Sequence, residues 1–270
     1  MIETELNLQH LLKLLDDNSL EIQKIVRNTI LENSLEILLK RPFYQMQADP
    51  ELRPSLEEML NELHFDLIKD AFGKLIETNL EDIDLEKAVM LLAYWNDPDV
   101  DVPSFVNRLD LYAGEIGNHM PVTGHPLAFI DHLNYYIFKK FGFKGNTSDY
   151  YNPDNSFINR VMETKKGIPI TLSVIYMLIS RRLELSIAGV PMPAHFIVKF
   201  DNGMDEIYID PFYEGKIYSQ QECREYLNQA NNLNTASILE GCTDYQIILR
   251  MMRNIELVYS SYQDEPLKKY

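Results

Sequence analysis

Two side chains late in the sequence have the types and spacing for general acid–base work. In PAHFIVKFDNGMDEIYIDPF, His195 and Asp210 flank Asn202-Gly203, the dipeptide that most strongly marks a two-residue hairpin loop. With that loop, paired positions sum to 405, which sets His195 directly opposite Asp210. Their side chains then share a face, with Cβ atoms about 4.5–5.5 Å apart. A four-residue loop from Asp201 to Met204 keeps the pair, whereas a three- or five-residue loop turns Asp210 to the other face. A carboxylate so placed fixes the tautomer of an imidazole and stabilises its cation.

Such a pair needs a group to activate. The segment GIPITLSVIYMLISRRL reads as a helix that is apolar nearly all round and therefore buried. Pro169, Ser173, Tyr176 and Ser180 fall on one of its faces, and the small residues there let a strand approach closely. Pro169 suits the first helical turn, where a missing N–H costs nothing. Ser173 is the candidate nucleophile, on the correct face but a turn deeper than Pro169. Thr171 lies about 200° round the helix from Pro169 and points away. Ser219-x-x-Glu222 and Thr243-x-x-Gln246 read as capping boxes. They place Cys223 in the first turn of a helix, where the dipole lowers a thiol pKa, and Cys242 just outside another cap. Nothing in the sequence brings Cys223 to His195, and it reads as a structural cysteine. His119 and His125 have no carboxylate or thiol at ligand spacing, so neither a metal nor another cofactor is expected.

The elements that must position these groups fall into an α+β arrangement. Residues 1–116 read as a helical region. It opens with a HEAT-like helix–turn–helix over about 6–42: a stripe of Leu8, Leu11, Leu12 and Leu15, a turn at Asp17-Asn18-Ser19, and a stripe of Ile22, Ile25, Val26 and Ile30. Helices follow over Leu56–Leu75, Leu85–Tyr94 and Val102–Ile116, with a break at Asp97-Pro98. The turn-rich Gly117–Pro126 marks a boundary, and residues 117–244 form the core. In it Leu127–Phe141 reads as a helix, GFKGN as a turn, and Asn155 as the cap of a helix presenting Phe157, Ile158, Val161 and Met162. The central helix then packs on an antiparallel sheet, and residues 245–270 carry a last helix from Tyr245 to Tyr262.

With 46% hydrophobic residues, 270 residues bury a substantial core. A net charge of −16, from 41 acidic against 25 basic residues, argues against nucleic acid or anionic membrane as partner. The opening MIETELNLQH lacks the apolar run of a secretory signal, and Ile168–Ile179 is too short to cross a bilayer. Two cysteines make neither a disulfide framework nor a zinc site, so a cytoplasmic protein is expected.

Several collinear stretches resemble the bacterial SirB-type transglutaminase-like family: YWNDPDVDVPSFVNRLD, FKKFGFKGNTSDYYNPDNSFINRVMETKKGIPITLSVIYMLISRRL, GVPMPAHFIVKF and IYIDPFYEGKIYSQQEC. The tail ILRMMRNIELVYSSYQD resembles the start of the helical-repeat extension of longer relatives. The resemblance implies a papain-related core in which a cysteine opens the central helix. Carried over residue by residue, His195 takes the place of the triad histidine and Asp210 that of the aspartate, while the nucleophile position falls on Pro169. The family's glycine before the histidine is here Ala194, a departure expected to matter little. The implied protein lacks cysteine-type transglutaminase or protease activity and binds a peptide or a protein through the residual cleft. A hydrolase or acyltransferase using Ser173, and a helical interaction scaffold, are the alternatives.

Overall fold

The computed structural model describes residues 11, 14, 19–48, 50, 51, 53–78, 83–121, 124–230 and 235–263. Its contacts divide the chain into two compact units that meet between Ser104 and Phe105.

The first unit is helical: α1 (Leu20–Glu32), α2 (Ser34–Leu39), α3 (Arg41–Gln47), α4 (Arg53–Glu62), α5 (His64–Thr78) and α6 (Leu85–Asn96). In α1, Val26 and Ile30 are buried, but Ile25, expected on the same stripe, is exposed. Leu8, Leu12, Leu15, Asp17 and Asn18 of the expected HEAT-like unit lie outside the described residues. The segment expected as one helix over Leu56–Leu75 is interrupted at Leu63. The interruption is slight, because Leu63 N–H still donates to Met59 C=O and its own carbonyl accepts from Leu67 N–H. The Asp97-Pro98 break is held by the buried Arg41, which donates to the Pro98 carbonyl at 2.6 Å and to Asn61 Oδ1 at 3.2 Å.

Helix α7 (Val102–Gly117) leads into the second unit. There α8 (Pro126–Asn134) continues as a single π-turn over Tyr135–Lys140, where one straight helix was expected. His125 caps α8, its Nδ1 accepting from Leu127 N–H at 3.2 Å. Two short strands, β1 (Lys144–Gly145) and β2 (Lys166–Gly167), pair in parallel around α9 (Ile158–Thr164). Asn155 is not the cap of α9; Phe157 occupies that position. Asn155 is instead buried as a bracket, its Nδ2 donating to the Asp149 and Tyr150 carbonyls and its Oδ1 accepting from Asn146.

The central helix is α10 (Pro169–Arg182), buried at every residue from Pro169 to Ser180. Each aliphatic side chain it buries contributes about 1.5–3 kcal/mol. It packs on a four-stranded antiparallel meander, β3 (Ile187–Val190), β4 (Ile197–Asp201), β5 (Glu206–Asp210) and β6 (Lys216–Tyr218), in chain order. Close packing at β3 requires Gly189, where a Cβ would meet the Phe196 ring at 2.6 Å. Both expected capping boxes form, at Ser219 with Glu222 for α11 (Gln220–Gln229) and at Thr243 with Gln246 for the last helix. After α12 (Thr235–Glu240), that last helix, α13 (Asp244–Gln263), packs against α10. No helix among the described residues is long and apolar enough to cross a membrane.

The hairpin register differs from the expected one. Val198 faces Ile209 and Asp201 faces Glu206, so paired positions sum to 407 and the loop is Asn202–Asp205. The cause is local side-chain chemistry. Asn202 Oδ1 accepts from both Met204 and Asp205 N–H, Asp201 Oδ1 accepts from Gly203 N–H, and Gly203 takes φ +84°. These bonds carry the loop to Asp205, two residues past the end of the Asn202-Gly203 loop and one past that of the four-residue alternative. A shift of two in the sum preserves the parity of the strand, so His195 and Asp210 stay on one face. They are diagonal neighbours rather than direct partners, and His195 precedes the first residue of β4.

Candidate active-site cleft

Asp210 ends β5 and is fully buried. Its Oδ1 accepts from Phe212 N–H at 3.0 Å and Tyr213 N–H at 3.3 Å, an Asx-type turn across Pro211. That leaves Oδ2 for His195 Nε2, 2.7 Å away. With the carboxylate oxygen as acceptor, Nε2 donates in this hydrogen bond and Nδ1 is the remaining ring nitrogen. The ring meets Phe212 edge-on, with centroids 6.1 Å apart, and leans on Tyr213 at 5.9 Å.

His195 is delivered by a tight turn after β3, closed by His195 N–H to the Met192 carbonyl at 3.1 Å. Ala194 in this turn has φ +52°. The left-handed conformation costs a residue with a Cβ about 1–2 kcal/mol, so alanine in place of glycine here is not neutral as expected. Arg250 of α13 secures the turn, one guanidinium nitrogen donating to the Met192 carbonyl at 2.9 Å and the His195 carbonyl at 2.6 Å. The same guanidinium stacks 5.4 Å above Phe196.

His195 opens onto a cleft of about 650 Å³, whose walls include Pro169 and Ile170 from the start of α10, Tyr150 and Tyr151, and Arg250 with Leu257 from α13. Thus the structure brings three of the four anticipated positions together: His195 and Asp210 by a hydrogen bond, and Pro169 to the wall that His195 shares. It does not bring Ser173 to them. Ser173 is fully buried, its Oγ 3.5 Å from the Phe196 carbonyl, and it lines neither this cleft nor the cavity described next. Thr171 does point away: its hydroxyl accepts from Ile168 N–H and donates to the Asn155 carbonyl, tying the start of α10 to the preceding turn.

A second cavity of about 450 Å³ also touches His195 and Asp210, and Cys223 lines it. Sequence gave no reason to put this thiol beside the pair. It is nevertheless unsuited to attack. Burial pushes it up to about 12, helped by the charges of Glu222 and Asp210, and this overrides the dipole effect expected to lower it. Cys223 belongs to an apolar cluster with Val190, Met192, Tyr208, Leu227 and Leu239. Among the described residues no group of three or more His, Cys, Asp or Glu could hold a metal ion.

Arg250, Asn254 and Val258 line the cleft at intervals of four on α13, and sequence reading passed over them. Their signal was present, an i, i+4, i+8 face in a helix otherwise rich in Ile, Leu and Met. Ser156, another lining residue, lay beside Asn155 and was hidden by the reading of that segment as a cap.

A family model described as "Transglutaminase-like superfamily" matches residues 103–253. A UPF0162 protein of Xylella fastidiosa (strain 9a5c) is 29% identical over 204 residues, 72% of each chain. F-box only protein 21 of Homo sapiens is 32% identical over 131 residues, covering 46% of this chain and 20% of that protein. A UPF0162 protein of Vibrio cholerae is 30% identical over 92 residues, 34% of each chain. No solved structure matches the chain significantly.

Proposed function

Because the chain belongs to the transglutaminase-like superfamily, we propose that it is a non-catalytic member that binds a peptide or protein segment in the cleft beside His195. The observation that carries this reading is Pro169, at the first position of α10 and in the cleft wall with His195. A side chain with no ionisable or nucleophilic atom stands where the fold would present its attacking group. Losing a nucleophile costs several orders of magnitude in rate, so the retained histidine and aspartate do not sustain turnover alone. Ser173, sealed behind Phe196, and Cys223, protonated and packed in an apolar cluster, supply no substitute. Tyr150, Tyr151 and Leu257 are exposed to differing degrees and give the cleft an apolar wall suited to side chains of an extended segment. The net charge of −16 favours a protein over a nucleic acid or an anionic membrane.

Within the superfamily we place the chain with the SirB-type proteins, on the collinear motifs around YWNDP, GIPITL and PAHF, with a HEAT-like helical region before the core. A cytoplasmic setting goes with this reading, supported by two cysteines that form no disulfide.

The test is selection from a displayed random-peptide library followed by mass spectrometry of the bound peptides. Enriched peptides should leave the protein intact and lose binding to Tyr151→Ala and Leu257→Glu, both at exposed positions. Equal binding to these variants would move the site elsewhere. Cleaved or covalently transferred peptides, absent with His195→Ala, would make the protein an enzyme.

A further inference from the structure

We infer that the cleft takes a carboxylate of its peptide ligand, held between the start of α10 and Arg250, with an adjoining apolar side chain against Tyr150 and Leu257. The inference rests on the reading that this cleft binds a peptide, and adds the chemistry it selects.

Charge distribution is the first support. The sequence carries 41 acidic residues, yet none of the described residues lining this cleft is Asp or Glu. The neighbouring cavity is the opposite, with Asp210, Glu222 and Glu225 in its wall. Arg250 is the cation of the cleft, and among the described residues no carboxylate pairs with it. One guanidinium nitrogen is committed to the two carbonyls of the histidine turn, and burial holds the group below the usual arginine range. A half-buried guanidinium without a counter-charge is costly, and a ligand carboxylate relieves that cost.

Backbone and side-chain donors are the second support. Pro169 and Ile170 open α10 and line the cleft. The first intrahelical bond runs from Leu172 N–H to the Ile168 carbonyl, so the Ile170 and Thr171 N–H groups have no acceptor within the helix. The positive end of a fourteen-residue dipole favours an anion there.

The third support is independent of charge. Ser156, 2% exposed, lines the cleft, and its hydroxyl has no hydrogen-bond partner among the described residues. A buried hydroxyl left unpaired is unfavourable, and a ligand acceptor seated at this wall would pair it.

The carboxylate has two possible sources, a chain terminus or an Asp/Glu side chain, and small probes separate them. Isotope-labelled protein is titrated with N-acetyl-phenylalanine, its primary amide, and N-acetyl-glutamate α-amide, following amide resonances of Ile170, Ala194 and Asn254. The free acid should bind at least tenfold more tightly than the primary amide. Arg250→Lys, which keeps the charge and loses the fork, should weaken the acid about fivefold or more and the amide by a clearly smaller factor. Ser156→Ala should weaken the acid while keeping or raising the melting temperature, because it deletes an unpaired buried group. A tighter N-acetyl-phenylalanine assigns the carboxylate to a chain terminus; a tighter glutamate probe assigns it to a side chain. A primary amide that binds as tightly as both carboxylate probes would overturn the carboxylate inference and leave peptide binding standing. No movement of the cleft resonances with any probe at 10 mM would sink both.

Discussion

Replacing Pro169 by cysteine asks directly whether the frame around His195 still activates a group placed at the start of α10. The substitution is structurally mild. Position 169 is the first residue of the helix, where Pro supplies no intrahelical bond, so the cost is confined to about 1 kcal/mol of lost unfolded-state restriction. The new thiol sits at a helix N-terminus and shares a wall with an imidazole fixed by Asp210 at 2.7 Å. These influences bring cysteines from an ordinary pKa of about 8.5 down to about 6.5 or below. At pH 7 the thiolate fraction then rises from about 3% to about 75%, roughly 25-fold. The lower basicity removes roughly eightfold in intrinsic nucleophilicity, so alkylation is only about threefold faster. At pH 5.5 the same arithmetic gives about tenfold, which makes the pH profile the sharper assay. Iodoacetamide alkylation followed by intact-mass spectrometry from pH 4.5 to 9.5 should show a midpoint below 7. Adding His195→Ala should raise that midpoint by at least one unit. Cys223 and Cys242 both sit at about 12 and remain protonated through the window, so the background is low. A midpoint near 8.5 in both variants would refute the argument, because His195 would then not face the nucleophile position.

Four other outcomes are expected. Ala194→Gly should stabilise the protein by about 0.5–1 kcal/mol in urea unfolding, because φ +52° strains alanine and not glycine. Ser173→Ala should change stability by no more than about 1 kcal/mol and leave peptide binding untouched, since its hydroxyl makes one long contact; labelling of wild type by a fluorophosphonate, lost in the variant, would restore Ser173 as nucleophile. Stability should fall with pH between about 8.5 and 9.5: Cys223 and Cys242 ionise there only in the unfolded chain, while Lys165, brought down to about 8 by burial, releases its proton only in the folded one. The two thiols outweigh the single amine, so Lys165→Met should steepen the fall and Cys223→Ser with Cys242→Ser should reverse its sign in reduced urea titrations. Asp210→Ala should cost about 3–5 kcal/mol and exceed His195→Ala, at about 1–3 kcal/mol, because the carboxylate serves three donors and the imidazole one acceptor; equal losses would contradict that hierarchy.

What the sequence disclosed follows from how local each signal is. The buried helix at Pro169 was legible because its apolar residues run all round, and both capping boxes because each is a four-residue pattern closed by its own side chains. The hairpin was legible as an element but not in register. Asn202 could open a two-residue loop with Gly203 or fold its amide oxygen over Met204 and Asp205, and only the competing bonds decide. The His195–Asp210 contact survived because strand parity tolerates a shift of two. Asn155 failed as a cap because its side-chain amide is taken up by Asn146, Asp149 and Tyr150, all before it in the chain, an arrangement with no fixed sequence spacing. The walls of the cleft were least legible. Arg250 and Leu257 reach the cleft of His195 from a helix about sixty residues further along the chain, and no periodicity within one helix says which neighbour its face meets.

The persistence of the pair without a nucleophile then has a physical explanation. Asp210 does two jobs: its Oδ1 shapes the turn through Phe212 and Tyr213, and its Oδ2 fixes the His195 ring. His195 in turn is bound from behind, its carbonyl held by Arg250 together with that of Met192. The chain of contacts therefore links the end of β5, the turn before β4 and the face of α13, three elements that meet at the cleft. Loss of the carboxylate would leave buried N–H groups of the 211–213 turn unpaired and free the ring on which Phe212 and Tyr213 pack. A cysteine opening α10 would share none of these bonds, since position 169 contributes only a wall. A change of residue at position 169 is thus cheap to the fold, whereas a change of the histidine or aspartate is not. That asymmetry is what the proposed role requires, a cleft that holds a ligand beside an intact His195–Asp210 pair.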